Sequence, residues 1–204
     1  MIAIIDYGIG NIGSIKNMLH KIGCRDVDFT SSPESLISAD KIILPGVGSF
    51  DAGIEMLNKS GMREELDYQV KKNKKPLLGI CLGMQMLGEK SDEGTLAGLG
   101  YIPFECKKFV FSDRGIKVPH MGWDYVNIER CDPIINGISD QTRFYFVHSY
   151  YAKCKNEKNI LLSCDYGIRF TAAVNHENIY GVQFHPEKSH GYGKQFLRNF
   201  IEEV

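Results

Sequence analysis

Two short stretches far apart in the chain carry the residues best suited to chemistry, Gly79-Ile80-Cys81-Leu82-Gly83 and His185-Pro186-Glu187. The first follows the apolar run Lys75-Pro76-Leu77-Leu78 and leads into Met84, Gln85, Met86 and Leu87, which have helical character. The spacing predicts a strand, a sharp turn and a helix, with a cysteine at the apex. It has the shape of the Gly-x-Ser-x-Gly nucleophile elbow, with sulfur in place of oxygen. A tight strand-to-helix turn crowds its neighbours, and Gly79 and Gly83 have no Cβ to obstruct it. The helix that follows aims free N–H groups at the turn, which suits a thiolate and a developing oxyanion. A cysteine is also at home in an apolar core, so Cys81 by itself leaves both readings open. A base elsewhere in the chain has to decide between them.

Six histidines compete for that role. His20 falls in a helical stretch and is expected at the surface, His176 in the turn Asn175-His176-Glu177-Asn178, and His190 in a glycine-rich loop. His185 differs because it closes the apolar run Ile179 to Phe184. Residues two apart in extended backbone point the same way, and Pro186 favours extended geometry just before it. His185 and Glu187 are therefore expected to project together. A carboxylate on imidazole Nδ1 sets the tautomer and leaves Nε2 for the nucleophile. His148 also ends an apolar strand, but no carboxylate lies near it in sequence, so it is read as a structural or site-wall residue.

The first half must hold Cys81 at the end of a strand. Ile2 to Ile5 is a short strand, followed by the turn Asp6-Tyr7-Gly8-Ile9-Gly10-Asn11 and by Ile12, Ile15, Leu19 and Ile22 at helical spacing. Gly8-x-Gly10-x-x-Gly13 matches the dinucleotide fingerprint in letters, but no acidic residue clearly ends the second strand, and a plain tight turn is the better reading. Val27 to Phe29 and Lys41 to Leu44 are further strands, the latter expected to stop at Pro45. Ser32 and Ser49 are expected to cap the helices that follow them. Met56 to Val70 reads as helix broken at Ser60-Gly61. The alternation implies a parallel sheet with helices on both faces, and ligands in such sheets sit at the carboxyl ends of the strands.

The second half changes character. Phe109 to Phe111, Ile116 to Val118, Tyr125 to Ile128, Phe144 to Val147, Ile160 to Leu162, Thr171 to Val174 and Ile179 to Phe184 are β-like, separated by turns such as Asp113-Arg114-Gly115 and Pro119-His120. Lys194 to Glu202 is a closing helix. The expected fold is α/β, a mixed and mostly parallel central sheet flanked by helices with antiparallel extensions, in one domain spanning 1–204.

Composition narrows the function class. A net charge of −1, from 24 basic and 25 acidic residues, gives no sign of electrostatic binding to nucleic acid or a membrane surface. The basic run Lys71-Lys72-Asn73-Lys74-Lys75 suits a solvated helix end. No apolar run reaches membrane-spanning length, and Met1 to Asp6 reads as a strand rather than a signal peptide, so a cytosolic chain is expected. Six cysteines without a C-x-x-C pair predict reduced thiols and neither a metal site nor a cofactor.

Pro45-Gly46-Val47-Gly48, Gly79-Ile80-Cys81-Leu82-Gly83-Met84-Gln85 and Gly181-Val182-Gln183-Phe184-His185-Pro186-Glu187-Lys188-Ser189 resemble the motifs of class I (triad) glutamine amidotransferases, a flavodoxin-like α/β family. Asp6-Tyr7-Gly8, Pro119-His120-Met121-Gly122-Trp123 and Phe146-Val147-His148-Ser149-Tyr150 resemble, more narrowly, the glutaminase subunits of imidazole glycerol phosphate synthase. The resemblance covers Ile2 to Phe200. It implies a triad of Cys81, His185 and Glu187, oxyanion donors at the Val47 and Leu82 amides, and glutamine held by Gly48, Gln85, Glu93, Ser149 and Tyr150. It further implies a heterodimer with a (βα)8-barrel cyclase that receives ammonia, docked on Asn11, Met121, Trp123, Tyr145 and Lys188. The lone tryptophan also suits an interface anchor on its own chemistry.

Asp124 departs from the pattern, since the family usually has asparagine after Gly-Trp. Similar variants occur among paralogues thought to feed ammonia to sugar amidation, which makes that the alternative acceptor. A freestanding γ-glutamyl cysteine hydrolase and a silent regulatory subunit are rivals of other classes; the intact Cys81, His185 and Glu187 argue against the second.

Overall fold

The computed structural model describes residues 1–113 and 115–204. The turn expected at Asp113-Arg114-Gly115 thus lies partly outside the described residues. In chain order the strands and helices are β1 (Ile2–Ile5), α1 (Ile12–Lys21), β2 (Val27–Thr30), α2 (Pro33–Ser38), β3 (Lys41–Gly46), α3 (Phe50–Lys59), α4 (Met62–Lys71), β4 (Leu77–Cys81) and α5 (Leu82–Met86). The second half holds β5 (Lys90–Ser91), β6 (Phe104–Lys108), β7 (His120–Tyr125), β8 (Asn127–Ile128), β9 (Arg143–His148), β10 (Tyr150–Cys154), β11 (Ile160–Tyr166), β12 (Ile168–His176), β13 (Ile179–Val182) and α6 (His190–Glu202).

One mixed sheet runs in the order β2-β1-β3-β4-β13-β12-β10-β6-β5, with β11 and β8 paired beyond β12. The first five strands of that order are mutually parallel. β12, β10 and β6 extend it antiparallel. The expected mixed, mostly parallel α/β sheet is therefore the observed one. β7 and β9 form a separate antiparallel ribbon.

Within the parallel half β1, β4 and β13 are buried throughout, which is why β1 and β4 read as unbroken apolar runs rather than alternating ones, while the edge strand β2 keeps Asp28 and Phe29 exposed. On one face α1 and α6 contribute Ile15, Leu19, Phe196 and Phe200 to the core. On the other, α3 and α4 contribute Phe50, Leu57, Leu66 and Val70.

Several local expectations are corrected. β3 runs through Pro45 to Gly46, paired with β4 as Pro45↔Ile80 and Gly46↔Cys81. Pairing with β1 already ends at Ile43, so Pro45 occupies an edge-like position where its missing N–H costs little. Phe109 to Phe111 is not a strand; Phe109 is instead buried among Phe111, His148, Tyr151 and Phe170, while Val110 is exposed. Ile116 to Val118 finds no ladder partner, and the expected Pro119-His120 turn is where β7 begins. His190 opens α6 rather than lying in a loop, so the closing helix starts four residues earlier than its apolar spacing suggested. Neither Ser32 nor Ser49 caps its helix through its side chain. The basic run ends α4 as expected, and Lys75 Nζ goes on to donate to the last carbonyls of α2, Leu36 and Ile37.

Candidate active site

The elbow forms because β4, α5 and β3 approach too closely for side chains at the glycines. A Cβ on Gly83 would lie 1.9 Å from the Leu44 carbonyl oxygen, and one on Gly79 would lie 2.8 Å from the Gly83 carbonyl oxygen. Cys81 sits at the apex with φ 56° and ψ −109°. A non-glycine residue there carries strain of about 1–3 kcal/mol, held in place by its surroundings. The result is a sulfur projected beyond the carboxyl end of β4.

His185 arrives from the next strand. β13 lies parallel to β4 in register Val182↔Ile80, so both chains leave the sheet at the same end. Its backbone is then clamped. The His185 amide donates to the Tyr145 carbonyl at 2.9 Å, and the Ser189 hydroxyl donates to the His185 carbonyl at 2.7 Å. Ser189 Oγ also accepts from the Tyr145 amide at 3.0 Å. A short 3-10 turn, Pro186–Lys188, returns Glu187 under the ring. Glu187 Oε1 lies 2.8 Å from His185 Nδ1, with both side chains buried. Nδ1–H donates to the carboxylate, and Nε2, which has no other partner, faces the Cys81 sulfur.

The electrostatics follow from that geometry. Burial pulls the His185 imidazole down, but the sulfur of Cys81 and the carboxylate of Glu187 outweigh it and push the group up to about 10. The imidazole, held between sulfur and carboxylate, therefore keeps its proton to higher pH than a free histidine. Nearby, burial and then the Cys81 sulfur push Tyr7 up, and its hydroxyl donates to the Pro45 carbonyl at 2.7 Å.

A pocket of about 330 Å³ opens over the sulfur. It is lined by Cys81 and His185, by Val47, Gly48 and Leu82 from the ends of β3 and β4, and by Gln85, Glu93, His148, Ser149 and Tyr150. Every catalytic, oxyanion and substrate-binding candidate from the sequence therefore meets at one cavity, with Glu187 behind it. Glu93 Oε2 accepts from the Phe50 amide at the start of α3 at 2.9 Å, which fixes its carboxylate at the pocket's edge. Gln85 Nε2 donates to Gln183 Oε1 at 3.0 Å and to the Tyr150 carbonyl at 3.3 Å. Both amide hydrogens are thus used, leaving Oε1 as a free acceptor.

Three residues near the site had no role from sequence. Gln183, fully buried, donates through Nε2 to the Cys81 sulfur at 3.8 Å. Ser189 joins His185 to Tyr145. His120 stands behind His148, with its Nδ1 3.1 Å from His148 Nε2. A buried amide at the end of an apolar strand was the available signal for Gln183; the other two depend on pairing across strands.

The partner-face candidates cluster apart from the pocket. On β7 and β9 residues alternate, so Met121 and Trp123 share a face with Tyr145 and Val147 across the register Trp123↔Tyr145. Met121 is exposed. Trp123 stacks on His190 at 5.4 Å, and Lys188 Nζ lies 5.7 Å from the Tyr145 ring centre. Asn11 precedes α1, whose helix contacts the Pro186–Lys188 turn.

An elbow cysteine beside an imidazole oriented by a carboxylate, at the carboxyl ends of the parallel strands of a mixed α/β sheet, is the arrangement that nucleophilic attack on a carbonyl carbon requires. The glutamine amidotransferase class-I family model matches residues 3–204, and the chain belongs to that family. It is 52% identical over 204 residues to imidazole glycerol phosphate synthase subunit HisH 2 of Pseudomonas aeruginosa, covering all of both chains. It is equally 52% identical over 204 residues to the HisH 2 subunit of Methanococcus maripaludis, again over the whole of both. A crystal structure described as a glutamine amidotransferase superposes with a TM-score of 0.77 at 17% identity, covering 99% of this chain and 98% of the other; that likeness speaks to fold alone.

Proposed function

We propose that this chain is the glutaminase subunit of an imidazole glycerol phosphate synthase, hydrolysing L-glutamine to glutamate and ammonia for histidine biosynthesis. The observation that carries the reading is the convergence of Cys81, His185 and Glu187 on one pocket. The Cys81 thiolate attacks the side-chain amide carbon. The oxyanion is met by the Val47 and Leu82 amides, a form of stabilisation worth about 3–4 kcal/mol per donor in acyl transfer. His185 passes its proton to the leaving nitrogen, and ammonia departs from a glutamyl thioester. Water, deprotonated by His185, then cleaves the thioester to give glutamate and restores the thiolate–imidazolium pair. Gly48, Gln85, Glu93, Ser149 and Tyr150 hold the substrate, with Glu93 suited to the ammonium and Gln85 Oε1 to a donor.

Ammonia passes to a (βα)8-barrel cyclase bound in a heterodimer across Asn11, Met121, Trp123, Tyr145 and Lys188. No cofactor or metal takes part in these steps. Purified chain mixed with its cyclase and assayed for glutamate release tests the reading. Turnover that Cys81→Ala abolishes supports it; an inert wild-type complex counts against it.

A second acceptor, a sugar-amidating partner, is the alternative that Asp124 favours. Growth of a histidine auxotroph lacking its own glutaminase subunit separates the two. Rescue supports the histidine pathway, and failure despite good expression supports the other acceptor.

A further inference from the structure

Behind the wall of the pocket, the ribbon of β7 and β9 holds Asp124, His120 and His148 in line. Asp124 Oδ2 lies 2.7 Å from His120 Nε2, His120 Nδ1 lies 3.1 Å from His148 Nε2, and His148 Nδ1 lies 2.8 Å from the Tyr150 carbonyl oxygen. Both histidines are buried, and Asp124 is the end that reaches solvent, with its side chain 37% exposed. His120 and Asp124 share one face of β7, four residues apart. At the far end, the same Tyr150 carbonyl accepts from Gln85, so the line ends on a residue of the glutamine pocket.

The hydrogen bonds can be counted in protons. A carbonyl oxygen only accepts, so His148 Nδ1 carries a hydrogen when that bond is made. The three contacts together need three hydrogens on ring nitrogens or carboxyl. Two neutral imidazoles carry two.

We propose that Asp124, His120 and His148 form a relay that stores one extra proton and thereby positions the Tyr150 carbonyl, and with it Gln85, at the substrate pocket. The last link rests on the glutaminase reading of that pocket. With the proton present, His120 is a cation between the Asp124 carboxylate and His148 Nε2, and every contact is a hydrogen bond. When one proton is lost to solvent, the charge-assisted bond to the carboxylate is the one retained. His120 Nδ1 is then bare, and the His148 hydrogen moves to Nε2 to meet it. His148 Nδ1 is left with its lone pair against the Tyr150 carbonyl. The relay as a whole loses one proton, and the broken contact falls at the pocket.

The surroundings fit this division. The Tyr166 ring stacks on His120 with centroids 4.0 Å apart, and the Cys164 thiol from the same strand stands near Asp124. His185 and His120 are the charged neighbours of His148, and Phe109, Phe146 and Phe170 supply apolar walls. Burial holds His120 below its ordinary value against the pull of Asp124 and drives His148 down to about 3. The stored proton therefore sits on the Asp124 side and is lost on the acidic side of neutrality. His148 and His120 are positioning residues here, acting through Tyr150.

Asp124→Asn supplies the third hydrogen permanently from its carboxamide. Histidine-labelled full chain is followed by 15N NMR from about pH 5 to about pH 8, the range in which histidine titrates. In wild type the His148 hydrogen is expected to move from Nδ1 to Nε2 as pH rises, while Asp124→Asn keeps it on Nδ1 throughout. In the assembled complex the glutamine KM of wild type should rise several-fold across the same transition, and that of Asp124→Asn should stay flat. A wild-type His148 tautomer that ignores pH, or an Asp124→Asn protein that titrates as wild type does, overturns the proposal. Should wild type fail to hydrolyse glutamine, the functional reading falls, and the NMR still decides the relay.

Discussion

The amide of His185 donates to the carbonyl of Tyr145 at 2.9 Å. The backbone of the proposed base is thereby tied to β9, the strand that holds Tyr145 beside Trp123.

Ser189 closes that link, and Ser189→Ala tests it. The change leaves the Tyr145 amide without its Ser189 acceptor and the His185 carbonyl with only the bond it accepts from the Lys188 amide at 3.0 Å; an unpaired buried amide costs about 1–3 kcal/mol. A fall in kcat of about tenfold with little change in glutamine KM is expected, read by steady-state kinetics alongside thermal melting. Wild-type kcat would remove the clamp from the account.

Gly193→Ala acts from behind. A Cβ there would lie 1.8 Å from the Pro186 carbonyl oxygen, so α6 and the Glu187 turn cannot both keep their places. Loss of about 2 kcal/mol or more is expected, at the upper end of overpacking, together with a drop in kcat. Gly191→Ala is the control, because nothing lies within 4 Å of that position.

The strand before the base depends on aromatic packing. Phe144 is fully buried and stacks on Phe184 with centroids 3.8 Å apart, while Phe196 meets it edge-on. Phe144→Ala is expected to destabilise the fold by about 3–5 kcal/mol, measured by urea denaturation. A loss below about 1 kcal/mol would mean that the site collapses around the gap.

Stability should also follow pH through His185. Its folded value, about 10, lies above the ordinary 6.5. The contribution is therefore fully present below about 6.5 and lost as pH rises through about 10. Glu187→Gln weakens one of the two raising partners and should flatten that loss. His148 works in the opposite sense. Its folded value, about 3, lies below the ordinary 6.5, so stability falls as pH drops from about 6.5 toward about 3. Denaturation curves across the pH range check both limbs.

Cys81→Ala should abolish glutamine hydrolysis and leave cyclase binding intact, because the sulfur lies in the pocket and not on the Trp123 face. The partner-free wild type should turn over slowly, since Val47, exposed at 42%, needs contact to hold its donor in place. Rates with and without the cyclase, beside a pull-down of the variant, test both statements. Equal rates would sink the second, and lost binding the first.

Much of this site is local and hence visible in one dimension. The elbow at Cys81 follows from backbone sterics that only glycine neighbours satisfy, and His185 and Glu187 meet because they stand two residues apart with proline between. Buried parallel strands announce themselves as apolar runs, so β1, β3, β4 and β13 were legible, apart from the end of β3 at Pro45. The second half was less so. Whether Phe109 to Phe111 or His120 to Tyr125 forms a strand depends on which segment finds a ladder partner, and that is set across the fold. Ser189, Gln183 and the line Asp124–His120–His148 are likewise invisible along the chain. Their partners come from other strands, and a hydrogen bond depends on the distance and direction that tertiary packing sets. The residues able to cleave an amide were determined by sequence; which groups hold them in register was decided by the packing of β7, β9 and α6 around them.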